Sequence, residues 1–295
     1  MENESYVRTD LALERRRADT DTEGVFYAEE RQGILTKSTL RVTSDEGAKS
    51  IGKPKGTYLT LSFPPFWEMD DGALTAVGAA LSEALLSLSP KKDGLTVLVA
   101  GLGNRALTVD AVGPAAIREI IATAHLAKRE PSLFKRLGCE RLAAIAPGVL
   151  GETGIESALL VEGAKNACRA DLIIAIDALA ARDCKRLATT VQVADTGILP
   201  GAGVGNPQLP IDREHFGIPV ISVGVPTVVD SATLLYDALK KAGLEEIPDA
   251  LGAVLDEGRA FFVAPRETDA VTAQAARMIA YAVNLAFGVV KAEES

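Results

Sequence analysis

Two aspartates stand where an α/β enzyme places groups for acid and base chemistry. Asp177 directly follows the apolar run LIIAI at 172–176, and Asp110 follows the run LTVLVAGLG at 95–103 after a short loop. Ligands of open α/β sheets bind outside the carboxyl ends of the parallel strands. Because both aspartates come after predicted strands, we expect the two carboxylates at the same edge of the sheet, in one site.

Such a pair has a defined chemical use. When two carboxyl groups share a site, their repulsion raises one pKa, so that one group is an acid and the other a base near the working pH. The base can take a proton from water while the acid protonates a carbonyl oxygen. Asp110 alone could instead cap the helix predicted to start at Ala111. Asp177 has no such simple alternative, because an acid that closes an apolar run is costly to bury.

The loop from Gly101 to Asn104 resembles a dinucleotide-binding loop, but Ala106 stands where the complete motif has its third glycine. We expect Gly101 and Gly103 to let the backbone turn sharply beside the site, with Asn104 helping to shape it. A non-enzymatic protein that binds a nucleotide or another small ligand through this loop is the alternative.

Two further residues are candidates for binding substrate or shaping the site. Asp195 opens an Asp-Thr-Gly triplet like that of pepsin-like proteases, but those enzymes need two copies in all-β lobes, so a turn is the simpler interpretation. Arg182 could hold a substrate carboxylate or face solvent. The chain has no His-x-x-x-His motif and no Cys/His cluster. We therefore expect no zinc site and no cofactor.

Composition narrows the function classes. The chain has 295 residues, of which 47% are hydrophobic, and its net charge is −9. No stretch concentrates Lys and Arg, which disfavours direct binding of nucleic acid. The first 17 residues contain neither the apolar core of a signal peptide nor a run that could span a bilayer. We expect a cytoplasmic protein that does not bind a membrane.

Three parts follow one another along the chain. Residues 1–24 are dense in charge and predict an exposed arm. Residues 25–62 predict a small β-rich subdomain, since short alternating runs are separated by turns. Residues 63–295 alternate apolar strands with helices, including predicted helices at about 71–88 and 110–128. This pattern is typical of a three-layer α/β domain with a largely parallel central sheet.

At this point the sequence resembles the germination proteases, which degrade small acid-soluble spore proteins in spore-forming bacteria. The resemblance runs in order through most of the chain. Its segments are VRTDLALE (7–14), EGAKSIGKPKGTYLTL (46–61), GLGNRALTVDAVGP (101–114), AIAPGVLGETGIE (144–156), DLIIAIDALAAR (171–182), VADTGILPGAGVGN (193–206) and GIPVISVGVPTVVD (217–230).

The resemblance implies a mechanism and a fold. The family is regarded as one of atypical aspartic endopeptidases, and its catalytic aspartates correspond by position to Asp110 and Asp177. Its fold resembles that of the hydrogenase maturation peptidases. In those relatives the acids bind a metal, so a metal-dependent peptidase is the alternative within enzymes.

The resemblance also implies how the chain matures, what it cleaves and how it assembles. Family members are zymogens that remove a short N-terminal segment by self-cleavage, at a site with an acidic residue, a bulky apolar residue, Ala, another residue and Glu. Residues 10–14 reproduce this order, which implies a pro-segment of residues 1–10 and a cut between Asp10 and Leu11. Small acid-soluble spore proteins are then the expected substrates, in the developing spore and the spore core. A homo-oligomer is expected, with a tetramer in the family it resembles.

Overall fold

A computed structural model of the chain describes residues 6–16, 22–201, 208–244, 249–258 and 261–291. Its strands are β1 (Val25–Gln32), β2 (Leu35–Val42), β3 (Gly56–Ser62), β4 (Thr96–Gly101), β5 (Arg141–Ile145), β6 (Leu172–Ala181), β7 (Thr190–Ala194), β8 (Val220–Asp230) and β9 (Phe262–Val263). Its helices are α1 (Ala12–Arg15), α2 (Asp45–Ile51), α3 (Asp71–Leu88), α4 (Val112–Glu119), α5 (Leu126–Arg129), α6 (Pro131–Leu137), α7 (Leu150–Thr153), α8 (Ser157–Cys168), α9 (Arg213–Phe216), α10 (Ser231–Lys241), α11 (Asp249–Gly258) and α12 (Thr268–Ala286).

All the described strands belong to one twisted sheet. Their order is β1-β2-β3-β7-β8-β6-β4-β5, and β9 pairs with the end of β8. The strands β5, β4, β6 and β8 run parallel to one another, whereas β7, β3, β2 and β1 extend the sheet in antiparallel pairs. The mixed α/β fold predicted from the sequence is confirmed.

Helices cover the parallel half of the sheet on both faces. On one face α3, α4 and α12 pack on the largest apolar cluster, to which alternate residues of β4, β6, β7 and β8 contribute. On the other face α8 packs on a second cluster, in which Leu98, Ile173 and Ala175 come from β4 and β6. Because both faces are covered, the central strands carry apolar residues on both faces rather than on one face alone.

The β-rich segment does not form a sheet of its own. β3 pairs with β7 from Tyr58↔Ala194 to Ser62↔Thr190, which joins the N-terminal strands to the central sheet. β7 itself alternates like an edge strand in the sequence, yet it lies inside the sheet between β3 and β8, and all five of its residues are buried. As a result, Tyr58 of β3 and the preceding residues Gly52 to Pro54 line one side of the cleft described below.

The helix predicted at 110–128 is much shorter in the structure. A 3₁₀ turn covers Thr108–Asp110, and α4 then ends at Glu119. The Asn284 side chain accepts a hydrogen bond from the Ile121 amide at 3.1 Å and donates one to the Glu119 carbonyl at 3.0 Å. These contacts from α12 hold the chain in an extended course after Glu119. A contact from a residue so far along the chain leaves no local signal in the sequence.

One described helix, α3, is long and apolar enough to cross a membrane by length and composition alone. In this structure its inner face packs against α12, where Val77, Leu81 and Leu85 join the main cluster with Ile279. A side chain on Gly78 would meet the Tyr281 ring, which shows how closely the two helices approach. About a third of the helix is buried, on the face that packs against α12.

Candidate active site

Asp177 lies on β6 at the point where its neighbour β4 stops. The last residue of β4, Gly101, pairs with Ile176, and the Leu102 amide donates to the Ile176 carbonyl at 2.8 Å. The prediction that the strand ends at Asp177 is wrong, because β6 continues to Ala181 by pairing with β8. Asp177 nevertheless stands at the carboxyl edge of the β4–β6 pair. Its side chain is only 7% exposed.

Asp110 ends the 3₁₀ turn that follows β4. Its Oδ2 accepts a hydrogen bond from the Asn104 amide at 2.7 Å, and it does not cap α4, whose N-cap is Ala111. The turn is held from behind, since Thr227 Oγ1 donates to the Val109 carbonyl at 2.6 Å. The carboxylate is therefore fixed by the loop on one side and by β8 on the other.

Glycines allow the Asp110 turn to approach β4 closely. Gly103 has φ +108°, and a Cβ there would overlap the Asp110 carbonyl oxygen. A Cβ on Gly101 would overlap the Gly113 carbonyl at the start of α4. Both positions therefore accept only glycine, for reasons of backbone conformation and space.

The two carboxyl groups lie within electrostatic reach of each other. Burial raises the pKa of Asp177 well above its ordinary value, and the charges of Asp110 and Asp10 raise it further. Burial also raises the pKa of Asp110, while the hydrogen bond from the Asn104 amide opposes that shift. The deeper group therefore favours the protonated form, and the shallower group ionises more readily.

Both carboxyls open into one large cleft of about 1040 Å³. Its floor is formed by β6, β8 and β7, and its rims include the Gly103–Asn104 loop and Thr196 to Gly201. The segment from Thr196 to Gly201 continues into residues 202–207, which lie outside the described residues. Among the residues that are described, no group of three or more His, Cys, Asp or Glu side chains is arranged to hold a metal ion.

Arg182 and Asp195, the other two candidates for binding substrate, make contacts away from the aspartate pair. The Arg182 guanidinium donates to both carboxylate oxygens of Asp237, at 2.8 and 2.7 Å. Asp195 is exposed, and its Oδ1 accepts from the Thr57 amide at 2.7 Å, which ties β3 to the end of β7. Asp195 is not among the residues that line the cleft.

The N-terminal arm lies in the cleft. The Asp10 amide donates to the Ala180 carbonyl at 2.8 Å, and the Ala180 amide donates back to Asp10 Oδ2 at 2.8 Å. Burial raises the pKa of Asp10, and the nearby Lys53 ammonium opposes that shift. Of the predicted pro-segment, residues 1–5 lie outside the described residues.

Residues after Asp10 are held as firmly. The Leu11 side chain is fully buried among Leu179, Ala181 and other apolar groups at the end of β6. The Glu14 carboxylate accepts from the main-chain amides of Arg182 and Asp183, at 2.7 and 3.0 Å. The bond predicted to be cut thus sits in a segment with specific contacts on both sides.

Three residues of the cleft were not identified from the sequence. Lys53 faces Asp10, Gln192 reaches the N-terminal segment from β7, and Gly224 lies on the cleft floor on β8. Only Gln192 could have been noticed in the sequence, because it is an amide side chain in the largely apolar strand TVQVA. A buried amide needs hydrogen-bond partners. Lys53 and Gly224 depend on strand order and register for their positions.

Comparisons with known proteins give a consistent result. A family model described as germination protease matches residues 3–245. A germination protease of Clostridium perfringens is 36% identical over 313 residues, which cover 95% of this chain and 94% of that protein. One of Caldanaerobacter subterraneus is 42% identical over 238 residues, covering 79% of this chain and 72% of that protein. The germination protease of Bacillus subtilis is 40% identical over 249 residues, covering 80% of this chain and 67% of that protein.

Among solved structures, a NiFe hydrogenase maturation protease from Thermococcus kodakarensis is similar with a TM-score of 0.30 and 17% identity. The match covers 50% of this chain and 80% of that chain.

Proposed function

Since the chain belongs to the germination protease family and is therefore a peptidase, we propose that Asp110 and Asp177 activate water for peptide hydrolysis and that the first bond cut joins Asp10 to Leu11. The observation that carries this proposal is the position of Asp10 in the cleft, close enough to Asp177 for its charge to raise that pKa. The segment that contains the proposed cleavage site thus lies in the same cleft as both carboxyls.

The two carboxyls have different parts in the proposed reaction. Asp110, whose carboxylate ionises more readily, takes a proton from the attacking water, and the water oxygen bonds to the carbonyl carbon of Asp10. Asp177, which favours its protonated form, donates its proton to the carbonyl oxygen. The C–N bond then breaks as Asp110 returns a proton to the Leu11 nitrogen. The new carboxyl group returns a proton to Asp177, so both groups end as they began.

This assignment uses no metal. The different surroundings of the two carboxyls supply both an acid and a base, which supports a metal-free reaction. The test is to dialyse the protein against a chelator and to compare its rate of self-cleavage before and after. We expect no change. Activity that is lost and then restored by one divalent metal would instead assign the aspartate pair to metal binding.

The direct test of self-cleavage is the N-terminal sequence of the purified chain after incubation at mildly acidic pH. The proposal expects a new N-terminus at Leu11, with a mass loss equal to residues 1–10. An intact chain, or a new terminus elsewhere, would contradict the proposed site. A synthetic peptide of residues 6–16, added to self-processed protein, tests the same bond in trans.

The remaining features of the proposal rest on family resemblance. We propose small acid-soluble spore proteins as substrates, the cytoplasm of the developing spore and the spore core as location, and a homo-oligomer as the assembly. The acidic net charge of −9 supports a protein that does not bind DNA itself. Sedimentation of the purified chain tests the assembly, and digestion of a purified spore protein tests the substrate.

A further inference from the structure

Gln192 is a buried amide in the middle of β7. Its neighbours Val191 and Val193 point into the main apolar cluster, so the Gln192 side chain points to the opposite face, into the cleft. It is 8% exposed. A buried amide carries two N–H donors and one carbonyl acceptor that need partners, and here the partners come from the N-terminal segment.

The contacts of Gln192 span the bond that we propose is cut. Its Oε1 accepts from the Ala12 amide at 2.8 Å, and its Nε2 donates to the Asp10 carbonyl oxygen at 3.4 Å. The first contact fixes the orientation of the side chain, because a main-chain N–H can face only the oxygen of an amide. The NH₂ group must then point toward the Asp10 carbonyl.

Strand register places Gln192 across from Asp177. Gly224 on β8 pairs with Asp177 of β6 on one side and with Gln192 of β7 on the other. Adjacent strands are about 4.8 Å apart, so the two residues flank a glycine floor roughly 10 Å wide. Paired residues point to the same face of a sheet. A Cβ at position 224 would overlap the Leu179 side chain, so the glycine makes room for that leucine on the floor between the acid and the amide.

We propose that Gln192 is a catalytic residue that donates a hydrogen bond to the scissile carbonyl oxygen and stabilises the negative charge that develops there. This assignment rests on the proposed cleavage between Asp10 and Leu11. The carbonyl oxygen has two lone pairs, so it accepts from Gln192 and receives the proton of Asp177 from different sides. The hydrogen bond from Gln192 is long before the reaction and should shorten as negative charge develops on the oxygen. A hydrogen bond that is stronger in the transition state than in the ground state lowers the activation barrier.

The experiment measures self-cleavage of the full chain, since this is a unimolecular step that follows docking. The rate is the appearance of a chain that begins at Leu11, followed by intact mass. Docking is followed separately, as protection of the amides of residues 8–14 from hydrogen exchange. Gln192→Glu keeps the acceptor for Ala12 and, where it is ionised, has no hydrogen to donate, so its rate is compared with the parent at the highest pH at which the parent still cuts. Gln192→Met, of similar size, loses both groups.

We expect Gln192→Glu to slow self-cleavage about 100- to 1,000-fold, as loss of an oxyanion donor does, while residues 8–14 remain protected. Gln192→Met should be as slow and less protected. Gln32→Glu and Gln32→Met, on the exposed edge strand β1, should behave like the parent. The Met variant supplies a neutral comparison if the added charge of the Glu variant impairs folding.

Two results would overturn the inference about Gln192 without contradicting the proposed roles of Asp110 and Asp177. One is a parental rate in both Gln192 variants. The other is a loss of protection in Gln192→Glu that matches its loss of rate, since Gln192 would then only dock the segment. A parental chain that makes no cut at Asp10–Leu11 would instead remove the proposed function, and this role with it.

Discussion

Asp177 and Gln192 lie at the same level of the sheet, each directly opposite Gly224 on the strand between them. One is a carboxyl group whose pKa is raised by burial, and the other is a neutral amide whose donors point into the cleft. The Leu179 side chain lies over that glycine, and in the proposed reaction the Asp10 carbonyl receives a proton from Asp177 and a hydrogen bond from Gln192. The predictions below start from this arrangement.

The aspartate pair should be required for self-cleavage. Asp110→Asn and Asp177→Asn should each lower the rate at least about 100-fold, because each removes a group that transfers a proton in the reaction. The measurement is intact mass against time. Asp93→Asn is the matched control, since Asp93 is exposed in the turn before β4, at the opposite end of that strand. A parental rate in either active-site variant would eliminate the pair as the acid and base.

Self-cleavage should have a bell-shaped dependence on pH. The rate should rise as pH falls from neutral toward the raised pKa of Asp177, because Asp177 must carry a proton, and should fall again once Asp110 is protonated. Asp10→Asn should move the upper limb to lower pH, since the charge of Asp10 helps to raise the pKa of Asp177. An upper limb that does not move would mean that another group controls it.

The ionised carboxylate of Asp177 should lower the free energy of unfolding at neutral pH. Its pKa in the folded chain lies above the ordinary 3.8, so the folded state holds the proton at a pH where the unfolded state has released it. Stability therefore falls as pH rises from 3.8 to the folded pKa, and the full cost is present above it. Asp110→Asn/Asp177→Asn should melt higher than Asp110→Asn at pH 7, by about 2–4 °C for each kcal/mol regained.

That comparison uses two variants expected not to cut themselves, so processing does not disturb the melts. The difference in melting temperature should disappear below the ordinary aspartate pKa, where both states of Asp177 are protonated. A difference that is constant with pH would mean that charge on Asp177 is not its source.

Thr227 should act on the reaction through Asp110. Thr227→Val removes the hydroxyl that donates to the Val109 carbonyl, and leaving a buried acceptor without its donor costs about 1–3 kcal/mol. We expect slower self-cleavage together with a lower melting temperature. Thr227→Ser keeps the hydroxyl and should recover most of the rate. Equal rates in the Val and Ser variants would show that this hydrogen bond does not position the Asp110 turn.

Gly103 should tolerate no side chain. Gly103→Ala places a Cβ at φ +108° against the Asp110 carbonyl, which should destabilise the fold by more than about 1 kcal/mol and slow cleavage. Gly163→Ala is the control. Gly163 lies in α8 with open space around it, and alanine in a helix should stabilise by roughly 0.5–1 kcal/mol. Unfolding in denaturant measures both, and similar changes would refute the steric argument.

The apolar runs before Asp177 and before the loop to Asp110 predict that both aspartates lie at one edge of the sheet, and both do line one cleft. The sequence-based predictions failed where a residue far along the chain determines the local structure. The predicted strand ends at Asp177, but pairing with β8 continues it through residues 178–181. Asn284 ends α4 from more than 160 positions away. The relation of Asp177 to Gln192 exists only through the register of β8, which no local pattern encodes.

The presence of residues 8–14 in their own chain's cleft also fixes the kinetic order of the first cut. A tethered segment meets the carboxyl groups at an effective concentration set by geometry, so its hydrolysis should be first order and unaffected by dilution. Each molecule would then mature on the same schedule, whether it is abundant or rare. Any peptide that arrives by diffusion must compete with a segment that is already in place.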